Sequence, residues 1–450
     1  MTTPAPQSSS SSDRPSAATL GLWSCIALVT GNMIGSGIFL LPSSLAPFGT
    51  LAIVGWVVTA AGAICLALVF SRLTPLIPKA GGPYAYTREA YGDFAGFWVA
   101  WGYWIALWTG NAAIAVAFGS YLRVFIPAFE GNAFLCGAAA IGAVWVLTMV
   151  NAAGIRRAGM LQIVTVILKL APLLAVGTIG LLWLKPANFS PAVPPGMNPL
   201  AGVSAVMTLT LWAFLGMESA TIPANSVRDP GRTIPRATII GTLLSSCVYI
   251  MSTVAVMGVM PRDMLATSQA PFADAARMMW GDAGYYLVGF GAIVSCFGVL
   301  NGWMLLAGQF PAAAARDGMF PAVFGRISSR GVPAVATAIA ASLITVMLLF
   351  NYSGAPTLVS VFNFAILLAT LSTLIPYAFC SLAEILIRRM RGERSVMKRR
   401  HHVIAGLAFL YSGWAIYGAG AQTVLLGFML LLAGIPIYVW LRRDTTARAR

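Results

Sequence analysis

Charged residues are scarce in this 450-residue sequence. Asp, Glu, Lys and Arg together make up 9% of it, whereas a typical soluble domain carries about 25%. A chain so poor in charge cannot cover its exterior with polar groups, which excludes a water-soluble fold. Since 58% of the residues are hydrophobic, we expect the chain to lie in a lipid bilayer, where only helices and closed barrels satisfy the backbone.

The strand-like alternation of polar and apolar residues is also missing, which excludes a membrane barrel. Near-continuous apolar runs of about the length that crosses a bilayer take its place. The sequence therefore predicts an all-α integral membrane protein with about twelve transmembrane helices. Their predicted bounds are 20–47, 50–73, 94–126, 132–152, 159–184, 199–225, 236–260, 283–312, 333–351, 356–387, 402–418 and 420–441.

Residues that support metal binding or covalent chemistry are few and poorly placed. The only two histidines, His401 and His402, lie in a basic loop, and all six cysteines fall within apolar spans, where we expect free thiols. No span pairs a nucleophile with a base or two acidic residues with each other. We therefore expect no cofactor, no metal and no enzymatic activity. A channel is disfavoured as well, because no polar stripe marks a continuous pore.

The net charge of +15 could indicate a nucleic-acid partner, but its distribution indicates a membrane topology. With the N-terminus inside, about 23 basic residues fall in inner loops and 4 in outer loops. Because Lys and Arg accumulate on the cytoplasmic side, both termini are predicted to be cytoplasmic in a cell inner (plasma) membrane. We expect no cleavable signal peptide, a lipid environment and no nucleic acid.

The first predicted span contains three glycines within seven positions, Gly31, Gly35 and Gly37. Each weakens a helix by about 1 kcal/mol, and unwound backbone survives in a membrane only where it lines a polar cavity. One interpretation is therefore a broken helix whose freed amides face a ligand. The other is close helix packing through the Gly31–Gly35 pair. Asn32 and Ser36 favour the break, because packing requires no polar groups.

The sixth predicted span also contains a glycine at its centre, Gly216, and an intramembrane carboxylate follows at Glu218. The two interruptions lie five spans apart, as in transporters with a five-plus-five inverted repeat, whose broken helices form the site at the midplane. The predicted organisation is a disordered cytoplasmic N-terminus (1–18), a ten-helix core of two inverted repeats (19–387), a basic cytoplasmic loop (388–401), two further helices (402–441) and a cytoplasmic tail (442–450).

Several collinear motifs resemble the amino acid–polyamine–organocation superfamily. They include GNMIGSGIFLLP (31–42), KAGGPYAY (79–86), LWAFLGMESA (211–220), RDPGRTIPRA (228–237) and GWMLLAGQ (302–309). The resemblance covers nearly the whole chain and is closest to the bacterial basic amino acid/polyamine antiporters of the arginine–agmatine type. It implies the LeuT-type fold, with helices 1 and 6 discontinuous, and alternating-access transport of L-amino acids.

The resemblance also implies a role for particular residues. Ser36 and Gly37 would bind a substrate carboxylate, and backbone carbonyls around Trp212 and Leu215 would bind its amino group. The implied substrate-binding residues are Asn32, Ile34, Ser36, Gly37, Asn111, Trp212, Leu215, Trp303 and Ala369. The implied gates are Tyr103, Trp212 and Tyr377.

Two of these positions retain a second interpretation. Trp303 would stack on a guanidinium, since tryptophan is the best cation–π partner, although most tryptophans in membrane proteins form interfacial belts. Asn111 would bond the end of the substrate side chain, or else would bond a neighbouring helix.

Three departures from the antiporter pattern affect the choice of substrate. Leu107, Ile114 and Ala369 replace a cysteine, a methionine and a serine, which removes polar or soft contacts. They weaken the arginine assignment and admit larger apolar substrates. The leading expectation is therefore an amino acid/amine antiporter, and the alternative is a proton-coupled or broad-specificity neutral amino acid permease. Members of the family are often homodimers, but no segment here specifies an interface.

Lys169, Glu218 and Tyr84 are the candidates for proton coupling or pH sensing. A lysine at bilayer depth is costly, and the resemblance implies that Lys169 stands in for a sodium ion and ties the fifth helix to the first. Its alternative is a lysine that snorkels to the interface. Glu218 suits either proton coupling or a bond to a neighbouring helix, and Tyr84 matches a pH-sensing or gating position.

Overall fold

The computed structural model describes residues 20–79, 81–190, 192–222, 224, 227–353, 358–393 and 397–448. The predicted disordered segment 1–18 lies outside the described residues. Within them the chain is helical almost throughout, and a single β-bridge joins Leu20 to Val227. The α-helices in chain order are α1 (Leu22–Met33), α2 (Ser36–Leu45), α3 (Leu51–Leu76), α4 (Pro83–Tyr91), α5 (Asp93–Tyr121), α6 (Ala133–Ala152), α7 (Ile155–Thr178), α8 (Pro199–Leu211), α9 (Pro230–Val259), α10 (Arg262–Thr267), α11 (Pro271–Arg316), α12 (Ala334–Ser353), α13 (Leu358–Met390), α14 (Arg399–Gly418), α15 (Ala421–Leu432) and α16 (Gly434–Arg448).

The described residues contain ten helical stretches that are long and apolar enough to cross a membrane. They account for ten of the twelve predicted spans, and the other two are helical as well. One is α12, whose apolar part, Ala334–Phe350, is shorter. The other is α14, which opens on a basic turn, Arg399–His402. The predicted all-α membrane fold is confirmed.

Both predicted breaks are present. The first span is divided into α1 and α2 by Ile34 and Gly35, neither of which is helical. In the sixth span, α8 passes into a 3-10 turn at Trp212–Phe214, and a second such turn follows at Ser219–Thr221. Between these turns Gly216 has φ +104°, a conformation that L-residues with a side chain rarely adopt. The backbone is therefore unwound near the centre of both spans.

Several boundaries differ from the sequence-based prediction. Helix α11 starts twelve residues before the predicted 283–312 span and bends at Gly281, where φ is +70°. The final span is divided into α15 and α16 at Ala433. Helix α13 extends to Met390 and α14 begins at Arg399, so the basic segment between them is shorter than 388–401.

The broken helices are enclosed by their neighbours. In the most apolar stretch of the first span, and likewise of the third, 83% of the residues are buried inside the protein. In the last span, Ala421–Arg442, only 17% are. Helices α5, α9, α11 and α13 make the most extensive contacts around the core. The two breaks are therefore shielded from lipid, and α15 and α16 form the periphery.

Candidate functional site

A small cavity lies where the two breaks meet. Its lining residues come from both breaks and from α5 and α11: Asn32, Met33, Gly35, Ser36, Gly37, Ile114, Trp212, Ala213, Leu215, Val299 and Trp303. Six of the predicted substrate-binding residues are among them: Asn32, Ser36, Gly37, Trp212, Leu215 and Trp303. The other three, Ile34, Asn111 and Ala369, are buried nearby but do not line it.

The N-terminus of α2 faces this cavity without a cap. Gly35 occupies the N-cap position and has no side chain to accept from the first-turn amides, and Ser36 and Gly37 are the first helical residues. The first N–H groups of a helix have no partner within it, and the helix dipole places partial positive charge there. This end of α2 can therefore bind a carboxylate without any basic side chain.

The C-terminus of α1 is satisfied by two side chains from other helices. The Lys169 ammonium on α7 donates to the carbonyls of Gly31 and Ile34, both at 2.6 Å. The Trp303 indole on α11 donates to the carbonyl of Asn32 at 3.2 Å. Lys169 is 1% exposed, so its head group lies inside the bundle and not at the interface that snorkelling requires. A cation thus holds the negative end of the α1 dipole.

In the unwound stretch of the sixth span, by contrast, one backbone carbonyl at the cavity has no partner in the described part of the chain. Trp212 O accepts from the Leu215 amide at 3.2 Å, and Ala213 O accepts from the Tyr249 hydroxyl at 2.8 Å. No hydrogen bond from a described residue reaches Leu215 O, and Leu215 lines the cavity. Leu215 is therefore the better placed of the two predicted acceptors for an amino group.

Glu218 is the centre of a buried cluster that joins three helical segments. The hydroxyl of Tyr103 on α5 donates to Oε1 at 2.6 Å, and the hydroxyl of Tyr377 on α13 donates to Oε2 at 2.7 Å. The Gly216 amide donates to Oε2 at 3.2 Å. All three side chains are at most 1% exposed. The sequence singles out each of these residues, but it gives no indication that they bond to one another.

Trp212 is held between two glycines. A Cβ at Gly37 would lie 3.1 Å from its Cδ1 atom, and a Cβ at Gly110 would lie 2.8 Å from its Cη2 atom. Gly110 on α5 is not identified from the sequence, although it directly precedes Asn111. Ala369 is a further neighbour of Gly110, since its Cβ atom is 3.7 Å from the point that a Cβ at Gly110 would occupy. Two residues without side chains therefore make the space that the indole occupies.

Two buried asparagines have unused acceptors close to the site. Asn32 Nδ2 donates to the Ser219 hydroxyl at 3.0 Å, and Asn111 Nδ2 donates to Leu107 O within α5 at 2.8 Å. Neither Oδ1 atom receives a hydrogen bond from a described residue. Among the described residues, the Asn111 amide makes no hydrogen bond to another helix, which was its alternative interpretation. Asn32 is one of the residues that line the cavity.

Three apolar side chains, Met33, Ile114 and Val299, complete the wall. The sequence identifies Ile114 only as a departure from the family pattern and does not single out the other two. Helical spacing was the available signal, because Ile114 lies three residues after Asn111 and Val299 lies four residues before Trp303. Val299 also packs closely on the first break, since a Cβ at Gly35 would approach it to 2.8 Å.

Tyr84 lies outside this cavity, in a polar cluster at the end of the bundle. Its hydroxyl donates to Asp317 at 3.0 Å and accepts from Arg88 at 3.2 Å. Arg88 also pairs with Asp93. Burial, followed by the Asp317 carboxylate, raises the pKa of Tyr84, so this phenol stays protonated near neutral pH. It can contribute to a gate through its hydrogen bonds to Asp317 and Arg88.

Comparison with known proteins identifies what this architecture is similar to. The family model described as amino acid permease matches residues 20–439. The cadaverine/lysine antiporter of Escherichia coli (strain K12) is 36% identical over 370 residues, which cover 81% of this chain and 82% of the relative. The putrescine transporter PotE of the same strain is 31% identical, covering 93% and 95%. The putrescine transporter PotE of Haemophilus influenzae is 32% identical, covering 93% and 96%.

Proposed function

The chain belongs to the amino acid permease family, and we propose that it exchanges an L-amino acid for its decarboxylated amine by alternating access. It is a multi-pass membrane protein, and its relatives by name transport cadaverine, lysine or putrescine. These are a basic amino acid and two diamines. We extend that chemical class, a cationic amino acid and the corresponding amine, to this chain.

The observation that supports the proposal is that backbone amides of one break and a backbone carbonyl of the other lie at the same cavity. The uncapped amides at Ser36 and Gly37 suit a carboxylate. The free Leu215 carbonyl and Asn32 Oδ1 suit an amino group. An α-amino acid carries both groups on one carbon, so it can bridge the two breaks. The amine lacks the carboxylate, so it would keep the contact of the amino group but make none with the α2 amides. The site would thus distinguish the two exchanged substrates.

The rest of the wall decides which side chain fits. No carboxylate is among the described residues that line the cavity, and Met33, Ile114 and Val299 are apolar. The Trp303 ring remains available for a cation–π contact, worth about 2 kcal/mol when desolvated. This wall favours a guanidinium or a long aliphatic chain that ends beyond the apolar residues. The second candidate function, a proton-coupled neutral amino acid permease, is supported by the same three apolar side chains.

We assign the gating and coupling roles from the geometry of the bonds. Trp212 would close over the substrate because it is part of the cavity wall, and the Glu218 cluster with Tyr103 and Tyr377 would form a gate because it joins α5, α13 and the sixth span. Lys169 would couple the cycle to a proton, since it ties α7 to the backbone of the first break. Tyr84 would act as a gate at the end of the bundle.

The proposed location is the cell inner membrane with both termini in the cytoplasm, supported by the excess of about 23 inner over 4 outer basic residues. In this orientation the Glu218 cluster lies on the cytoplasmic side of the cavity. We also propose that the protein transports its substrates without catalysing a reaction. A homodimer is the assembly that we expect from the family.

Counterflow in proteoliposomes tests the proposal. Vesicles preloaded with unlabelled cadaverine, putrescine, agmatine or nothing would receive external labelled lysine, arginine or leucine. We expect an internal amine to stimulate uptake of the matching cationic amino acid, with no uptake into empty vesicles. If an imposed proton gradient drives uptake into empty vesicles and no internal amine stimulates it, the exchange proposal is wrong and the permease alternative is correct.

A further inference from the structure

Away from the transport site, basic residues concentrate where α13 ends and α14 begins. Between Glu384 and His402 the sequence holds seven Lys and Arg residues, and its two acidic residues are Glu384 and Glu393. A cavity opens at this point, and its lining residues are Ile385, Arg388, Arg389, Met397 and His402. We call it the basic junction. In the proposed orientation it faces the cytoplasmic leaflet of the bilayer.

The two carboxylates of this region are already occupied by the arginines closest to the bundle. Glu384, which is fully buried, pairs with Arg72 at 2.6 Å and with Arg388 at 3.0 Å. Glu393 pairs with Arg388 at 3.0 Å. These contacts fix the inner wall of the basic junction. Arg391 pairs with Glu89 at 3.7 Å, and no other ion pair involves a described cation of this segment.

Four outer cations have no such partner among the described residues. Arg389, Lys398, Arg399 and Arg400 are exposed, and none forms an ion pair with a described residue. Helix α14 begins at Arg399, and Lys398 at its N-cap position makes no side-chain cap. Arg389 lines the cavity itself, while Lys398, Arg399 and Arg400 lie at the start of α14, the helix that contributes His402 to the cavity wall. Unpaired guanidinium groups and the first amides of a helix both favour a phosphate.

The apolar surroundings indicate a phosphate that carries hydrocarbon. Ile385 and Met397 form part of the wall of the basic junction. Next to His402 on α14, Val403, Leu407 and Leu410 follow one another at helical spacing and are between 51% and 67% exposed. A free phosphate ion would gain nothing from this stripe, whereas the acyl chains of a lipid would lie along it.

We propose that the basic junction binds the headgroup of an anionic phospholipid, with its acyl chains along the exposed face of α14. The phosphate would contact Arg389 and the start of α14 at Arg399. Basic clusters directly cytoplasmic of a transmembrane helix bind anionic lipids with about 1 kcal/mol for each Lys or Arg. The site is separate from the transport cavity, so lipid binding does not depend on the identity of the transported substrate.

Native mass spectrometry of the full chain in detergent tests this site. Dioleoylphosphatidylglycerol and dioleoylphosphatidylcholine would be titrated separately. The wild type should retain phosphatidylglycerol in preference, and R389Q/R399Q should weaken its binding about thirtyfold, the equivalent of about 2 kcal/mol. The matched control is R326Q/R330Q, which removes two positive charges from another inner loop and should leave the binding unchanged.

Three results would overturn the proposal. Equal retention of the two lipids by the wild type would exclude a headgroup site, and this measurement requires no variant to fold. An equal loss of phosphatidylglycerol binding in R389Q/R399Q and R326Q/R330Q would show that the binding depends on general surface charge. Displacement of phosphatidylglycerol by excess sodium phosphate would assign the basic junction to a free phosphate ion.

Discussion

Both broken helices combine glycine with polar residues at the centre of an apolar span, but a lysine amino group holds the first and a glutamate carboxyl group holds the sixth. In the first, the Lys169 ammonium donates to the carbonyls of Gly31 and Ile34. In the sixth, the Glu218 carboxylate accepts from two tyrosines and from the Gly216 amide. Lys169 thus donates to the carbonyls of the first break, whereas Glu218 accepts hydrogen bonds at the sixth.

This difference explains how one cavity receives groups of both signs. Because Lys169 and Trp303 satisfy the carbonyls of the first break, the backbone groups that it leaves for a ligand are the amides at Ser36 and Gly37. In the sixth break Glu218 takes the Gly216 amide, which leaves a carbonyl facing the cavity. Lys169 bonds carbonyls and leaves amides for a ligand, whereas Glu218 bonds an amide and leaves a carbonyl.

The largest expected effect comes from filling the space at the first break. In Gly37→Val the new side chain would meet Trp212 and Ala213, whose atoms lie 3.1 to 3.3 Å from the Cβ position. Substrate affinity, measured by titration calorimetry, should fall about a hundredfold, the effect of about 3 kcal/mol of overpacking. Gly142→Val is the control, because a Cβ at Gly142 meets nothing within 4 Å. Normal binding by a folded Gly37→Val variant would exclude the amide site.

An intermediate effect is expected from removing the cation. Lys169→Ala leaves the carbonyls of Gly31 and Ile34 without their donors inside the bundle. We expect exchange turnover to fall about thirtyfold, the equivalent of about 2 kcal/mol, which is the contribution of one hydrogen bond to a charged group. We also expect the pH dependence of exchange to change. Lys185→Ala, at an exposed lysine, is the control. Flux that is unchanged at every pH would remove Lys169 from the cycle.

A smaller effect is expected at the carboxylate cluster, since each tyrosine contributes one of three bonds to Glu218. Tyr103→Phe and Tyr377→Phe should each slow exchange about tenfold, corresponding to the loss of about 1.5 kcal/mol. Affinity for the substrate should change little, because neither side chain lines the cavity. Tyr286→Phe, at a half-exposed tyrosine, is the control. A loss confined to affinity would contradict the assignment of these tyrosines to a gate.

The sequence predicts the breaks because glycines and polar residues together at the centre of an apolar span disfavour a continuous helix. It also identifies Lys169 and Glu218, because an isolated charge in lipid requires a partner. It cannot identify those partners, since the contacts between α7 and the first break, and among α5, α13 and the sixth span, depend on how the helices pack. Gly110 is missed for the same reason, because its role is visible only once Trp212 lies against it.

We propose above all that the uncapped end of α2 recognises a carboxylate by its backbone amides. The most direct measurement compares, on the wild-type protein, the affinity of the preferred amino acid with that of its primary amide, which keeps the size and the amino group. We expect the amide to bind about tenfold more weakly, because a charge-assisted hydrogen bond is roughly twice as strong as a neutral one. Equal affinities for the two ligands would contradict it.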